Sequence, residues 1–164
     1  MVSRFNGPFQ AVRIARAAFP LWDGTGAAIH GARWNRRGQY VIYASGSFAG
    51  ALLEILVHSN LGRVPQGFAS IHIHVPAEVA IEKISPDDVP GWSAEDCAPS
   101  RAFGAEWYES SRSAVLLVPS VCSAGIEHNV LFHQRHPDFP LITASTPVPM
   151  QWDTRLFGPG RALR

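Results

Sequence analysis

Charge is scarce in this 164-residue chain: 16% of its residues are Asp, Glu, Lys or Arg, against roughly 25% in an average globular protein. Fourteen basic and 13 acidic residues leave a net charge of +1. The strong positive field of a nucleic-acid binder is therefore missing, and so is the self-repulsion that keeps a chain unfolded. Lysine is nearly absent: Lys83 is the single one and every other basic residue is arginine, whose planar fork suits phosphate or carboxylate. The two cysteines, Cys97 and Cys122, show no pairing pattern, as in a reducing compartment. No apolar run approaches the roughly 18 residues of a membrane helix, and the amino-terminal segment has no apolar leader core. The expected setting is the cytoplasm, with neither a membrane nor nucleic acid as a direct partner. With 14 Gly and 13 Pro, a long coiled coil is excluded.

The chain is rich in core-forming residues. Apolar types make up 46%, including nine Phe, five Trp and three Tyr, enough for a single domain over 1–164 without disulfide or metal staples. The run Gln39–Ser45 is branched and aromatic between two glycines and predicts a strand. Ser47 then predicts an N-cap for a helix reaching about Asn60. Its stripe of Phe48, Ala51, Leu52, Ile55 and Leu56, with Leu53 and Val57 also apolar, predicts cover on most sides. Ala69–Val75 alternates as a half-buried strand does, and Ser113–Ser120 reads as a buried strand stopped by Pro119. Residues 84–105 read as a long loop, and LITAS and MQWDTRLF as two late strands before a Gly/Pro tail. Irregular alternation of helix and strand predicts an α+β fold.

Three places could carry chemistry. Glu54 is the one carboxylate between Asp23 and Glu78, in the middle of the apolar helix and on the same edge as His58. An acid there is costly unless it is paired or used; a half-exposed face or an arginine partner would also account for it. The loop Gly31-Ala-Arg33-Trp-Asn-Arg-Arg-Gly38 could hold Arg33 at the mouth of a cleft, with backbone N–H groups cradling an anion, or could be a hairpin-like loop with solvated arginines. Finally, Val118–Phe139 carries Ser120, Cys122, Asn129, His128, His133 and His136. No G-x-S-x-G elbow surrounds Ser120. Nothing beside Cys122 suggests an activated thiol, and His72-x-His74 with His133-x-x-His136 lacks a further ligand at zinc spacing.

Taken in order, the segments resemble the RES domain, a family of toxins from bacterial type II toxin–antitoxin pairs. The matching residues run from Gly31-Ala-Arg33-Trp34-Asn35-x-x-Gly38 through Tyr43-Ala-Ser45 to Leu53-Glu54-x-Leu-Val-His58. They continue with Trp107, Leu-Leu-Val-Pro119-Ser120, Glu127-x-Asn129, His136-Pro-Asp-Phe139 and Asp153-x-Arg155-Leu156, covering about residues 24–157. Ala32 departs from a second glycine, and His133-Gln134 departs from Asn-Pro in the loop leading to His136.

The resemblance implies an ADP-ribosyltransferase-like fold, with central packed sheets and short flanking helices around an NAD⁺ cleft. NAD⁺ would be a consumed substrate, with no cofactor and no metal. The implied reaction is cleavage of the nicotinamide–ribose bond by water or phosphate, which depletes NAD⁺; the alternative is transfer of ADP-ribose to a cellular protein. Glu54 would steady the ribosyl cation, Arg33 grip the pyrophosphate and Tyr43 stack on nicotinamide. Ser120 and Asn129 would orient ribose and amide, with Ser45 and His58 as further contacts. The implied partner is a helix-turn-helix (Xre-like) antitoxin that blocks the cleft. A non-catalytic nucleotide- or protein-binding domain is the reading from a different class.

Overall fold

The structure, a computed structural model, describes residues 1–58 and 64–157. Branched and aromatic runs form its strands. The order is β1 (Ser3–Asn6), β2 (Phe9–Arg16), α1 (Thr25–His30), β3 (Val41–Ser45), α2 (Phe48–His58), β4 (Phe68–Val75) and β5 (Ala80–Lys83). Then follow α3 (Ala98–Ser110), β6 (Val115–Pro119), β7 (His128–His133), β8 (Thr143–Ala144) and β9 (Val148–Pro149). The fold is α+β, as the pattern predicts. The sheet runs β1-β5-β6-β7-β3-β2-β4-β8, with β9 against β4. β5 and β6 pair in parallel, whereas the blocks that bear on the site are antiparallel.

The sheet is nearly split. β2 pairs with β4 along its whole length, from Phe9↔Val75 to Arg16↔Phe68, and β3 pairs with β7 from Val41↔His133 to Ser45↔Asn129. Between these two blocks, β2 meets β3 at one register pair, Val12↔Ser45. Alternation along β3 sends Ile42 and Ala44 into a core with Ile71, Ile73, Val130 and Phe132. Val41 and Tyr43 point to the opposite face, with Trp34, Trp107, Leu116 and Leu131. Both faces of the central strands are thus covered, which fixes β3 and β7 firmly.

Several expectations need correcting. The segment 84–105 is not all loop: a 3₁₀ turn forms at Pro86–Asp88, and α3 begins at Ala98. The buried face of α3 consists of Ser100, Gly104, Ala105 and Trp107, small residues that leave no apolar stripe to read. A Cβ on Gly104 would overlap the Trp34 carbonyl oxygen, so α3 lies directly on the loop that carries Arg33. MQWDTRLF forms no long strand; after Val148–Pro149 the chain makes a 3₁₀ turn at Thr154–Phe157, started by Arg155 N–H on Asp153 Oδ1 at 2.9 Å. Nor is α2 covered on most sides, because Phe48, Leu53 and Val57 are exposed. The expected end of that helix, Ser59 and Asn60, lies outside the described residues, as does the tail after Phe157.

The loop at His133-Gln134 closes the sheet end on α1. Gln134 accepts Gly24 N–H at 2.6 Å and donates to Asp23 Oδ1 at 3.1 Å. His133 stacks on Tyr108, with ring centroids 3.8 Å apart, and burial lowers its imidazole from 6.5 to about 4. A depressed histidine holds its proton more weakly folded than unfolded, so stability falls as pH drops from the unfolded to the folded value and stays lowered below it. Thermal stability is therefore expected to hold above pH 6.5 and to fall as pH drops from 6.5 through about 4. Melting curves of the protein and of His133→Gln across that window check this; equal slopes would remove His133 as the cause.

Candidate active site

α2 places the central carboxylate. Ser47 caps the helix as the sequence predicts, its Oγ accepting Gly50 N–H at 2.9 Å. Ala51, Leu52 and Ile55 pack on Val12 and Ile14 of β2, which holds Glu54 beside the place where β2 and β3 part. Asn129 Nδ2 donates to Glu54 Oε1 at 2.7 Å, and Ser120 Oγ donates to the same oxygen at 3.1 Å. Asn129 is itself oriented by Ser45 Oγ, which donates to its Oδ1 at 3.1 Å. Because Ser45 and Asn129 are register partners, the amide must present its Nδ2 elsewhere, and Glu54 receives it. Four of the expected residues, Ser45, Glu54, Ser120 and Asn129, thus form one hydrogen-bonded group.

The Cys122 thiol adjoins it. Burial, then the charge of Glu54 and a hydrogen bond to it, push this thiol up to about 11. It stays protonated and is a donor to the carboxylate, not a nucleophile.

A cavity of about 150 Å³ opens beside Glu54, lined also by Arg13, Tyr43, Ser45 and Asn129, with apolar walls from Val12 and Ile14. Tyr43 has its hydroxyl fully used: it donates to Asn35 Oδ1 at 2.8 Å and accepts Trp34 N–H at 3.1 Å. Burial raises its phenol well above the ordinary value of 10, so it remains neutral and its ring is held rigidly in the wall.

Arg33 is not among the cavity-lining residues. Its Nη1 donates to the carbonyls of Trp92 at 3.0 Å and Ala94 at 2.8 Å, bracing the loop on the other side of Trp34; Nη2 and Nε are not needed for either bond. His58 is exposed on the last turn of α2, likewise outside the cavity lining. Among the described residues, no group of three or more His, Cys, Asp or Glu side chains could hold a metal ion. Nor is any described helix long and apolar enough to cross a membrane.

Arg13 is the residue that sequence reasoning missed. Its Nη1 donates to the Tyr43 carbonyl at 2.5 Å, so a guanidinium spans the gap where the β2–β3 ladder fails. Its buried Nε has no partner among the described residues. Burial depresses its pKa, and Asp23 counters in part. A signal existed in FQAVRIAR: period 2 puts Arg13 on the same face as Ala11 and Ala15, two side chains too small to cover it.

Comparison with known proteins adds the following. The family model described as RES domain matches residues 10–153. A protein of Sphingobium sp. (strain YBL2), named Prs ADP-ribosylating toxin, is 41% identical over 138 residues, covering 82% of this chain and 85% of that protein. Toxin Res of Yersinia enterocolitica is 36% identical over 138 residues, covering 82% and 90%. Among solved structures, the M. tuberculosis MbcT–MbcA toxin–antitoxin complex contains a chain that superposes with a TM-score of 0.76 at 15% identity, covering 94% of this chain and 89% of that one. That similarity is one of fold.

Proposed function

Because the chain belongs to the RES domain family, we propose that it is the toxin of a toxin–antitoxin pair and cleaves the nicotinamide–ribose bond of NAD⁺ in the cytoplasm. The observation that carries this reading is the fixed carboxylate: Glu54 Oε1 held by Asn129 and Ser120 on the wall of a cleft. Nicotinamide departs as a neutral base, so the bond breaks without a general acid. The ribosyl group left behind resembles an oxocarbenium ion, as in glycoside cleavage. A preorganised anion beside it lowers the barrier without reorganising. Glu54 supplies that charge, Ser45 and Asn129 set its angle, and the Tyr43 ring forms the wall for the nicotinamide. Arg13 and Arg33 are the cations for the pyrophosphate, and His58 is a peripheral contact at most. No cofactor and no metal enters the scheme.

The acceptor separates two versions of the reaction. Water or phosphate gives free ADP-ribose or its 1″-phosphate and depletes NAD⁺. A protein nucleophile gives an ADP-ribosylated target, the version favoured by the relative named for ADP-ribosylating activity. An antitoxin partner is supported by the toxin–antitoxin complex that contains the structural neighbour; in our reading it is of the helix-turn-helix (Xre-like) class and covers the cleft.

NAD⁺ labelled in both adenine and nicotinamide tests the scheme. Nicotinamide should be released by the free protein and suppressed in the complex. The adenine label should then appear in ADP-ribose, in its phosphate or on protein, which names the acceptor. No nicotinamide release under any of these conditions, cell extract included, would leave a nucleotide- or protein-binding domain as the better reading.

A further inference from the structure

We propose that Glu127 is a positioning residue for Glu54: together with Ser47 it forms a clasp tying the first turn of α2 to the start of β7. The proposal rests on the NAD⁺-cleaving reading, in which Glu54 acts on the reacting ribose. Ser47 Oγ donates to Glu127 Oε2 at 3.0 Å while accepting Gly50 N–H at 2.9 Å. One hydroxyl thus satisfies both the helix cap and the carboxylate. The fit is close, since a Cβ on Gly50 would lie 2.8 Å from Glu127 Oε2 and 3.1 Å from Ser47 Oγ. Glycine at 50 is what lets the carboxylate approach.

The main chain of Glu127 holds the other side of the site. Its carbonyl accepts Ser120 N–H at 2.9 Å, and its N–H donates to Ser123 Oγ at 2.9 Å. Asn129 follows two residues later, and the carbonyl of the intervening His128 accepts Gly46 N–H at 3.1 Å. Both donors to Glu54 Oε1, Ser120 and Asn129, therefore hang from the backbone around a residue whose side chain grips the helix that carries Glu54. Glu127 is exposed and lines a cavity of about 110 Å³ with Gly50, Ser120, Ser123 and Asn129, not the one that Glu54 lines, and its side chain is engaged by Ser47, which places it in the clasp. Arg13 and Tyr43 sit on β2 and β3, outside this linkage. Loss of the clasp should misplace the carboxylate while leaving most of the binding surface alone.

Steady-state nicotinamide release by Glu127→Ala, Glu127→Gln, Ser47→Ala and the Ser47/Glu127 double alanine variant tests this. Glu127→Ala is expected to lower kcat about tenfold with KM for NAD⁺ within about twofold. Glu127→Gln, whose amide oxygen still accepts the Ser47 hydroxyl, should recover to within about threefold of the parent, and the double variant should be no slower than Ser47→Ala alone. Unchanged kcat in Glu127→Ala, or Glu127→Gln as slow as the alanine variant, overturns the clasp. Amide exchange at Gly50 gives a readout independent of chemistry. It should quicken about tenfold in Glu127→Ala and stay near the parent rate in Glu127→Gln. If the parent releases no nicotinamide, the NAD⁺ reading fails, and Gly50 exchange alone decides the clasp, with an unchanged rate rejecting it.

Discussion

Glu54→Gln is expected to slow nicotinamide release by about a hundredfold or more while NAD⁺ binding and folding stay close to the parent. The glutamine oxygen can still accept Asn129 Nδ2 and Ser120 Oγ, the two bonds that hold Glu54 Oε1, so shape and packing survive and only the charge is lost. Two opposite charges about 4 Å apart near a protein surface interact by about 4 kcal/mol, which sets the scale of what the transition state forfeits. Ground-state NAD⁺ already carries its positive charge on the nicotinamide ring. The ribose gains positive character only as the bond breaks, so the loss falls on kcat more than on KM. A second observable checks the geometry. The Cys122 thiol stands at about 11 through burial and the Glu54 charge, so removing the charge should lower it and speed alkylation of Cys122 at mildly alkaline pH. Parent-like turnover in Glu54→Gln would reject electrostatic stabilisation by this carboxylate, whatever Cys122 does.

What could be read from the sequence followed periodicity and local capping. β3, β4 and β6 announce themselves by branched runs, and Ser47 caps α2 as its position predicts. Glu54 stood out because it interrupts an apolar helix, and its partners Ser120 and Asn129 came from the ordered resemblance. α3 stayed hidden because its buried face is built from serine, glycine and alanine around Trp107, a pattern set by close approach to Trp34 and not by hydrophobicity. Burial of charge is not legible in the chain either. Glu54, alone in its apolar helix, is only partly covered, whereas Glu82 in β5 is fully buried. It is held by Arg4 at 2.6 Å and Arg112 at 3.4 Å. Its two arginines lie 78 residues before and 30 after it in the chain, so no local window contains the compensation. Arg13 escaped for a related reason: what makes it unusual is the missing ladder beside it, a property of two strands meeting at Val12↔Ser45 and then parting.

Arg13→Met is expected to weaken NAD⁺ binding by about 10- to 100-fold, the usual worth of a charge-assisted hydrogen bond to an anion, with little change in melting temperature. Stability should hold because two effects oppose. The variant loses the bond to the Tyr43 carbonyl, but it also removes a desolvated guanidinium whose Nε lacks a partner among the described residues, and the cost of keeping that charge out of water goes with it. Asp23 is not stranded, since Gln134 donates to it at 3.1 Å. Arg33→Met should give the opposite signature. It leaves the Trp92 and Ala94 carbonyls without their donor, so melting temperature should drop by the equivalent of about 1–2 kcal/mol, with a smaller effect on NAD⁺ affinity than at Arg13. Calorimetric titration with NAD⁺ beside thermal melts of both variants separates the two arginines. If Arg13→Met binds NAD⁺ as tightly as the parent and melts lower, the Arg13 guanidinium is a strut across the split between β2 and β3, and the pyrophosphate belongs to Arg33 alone.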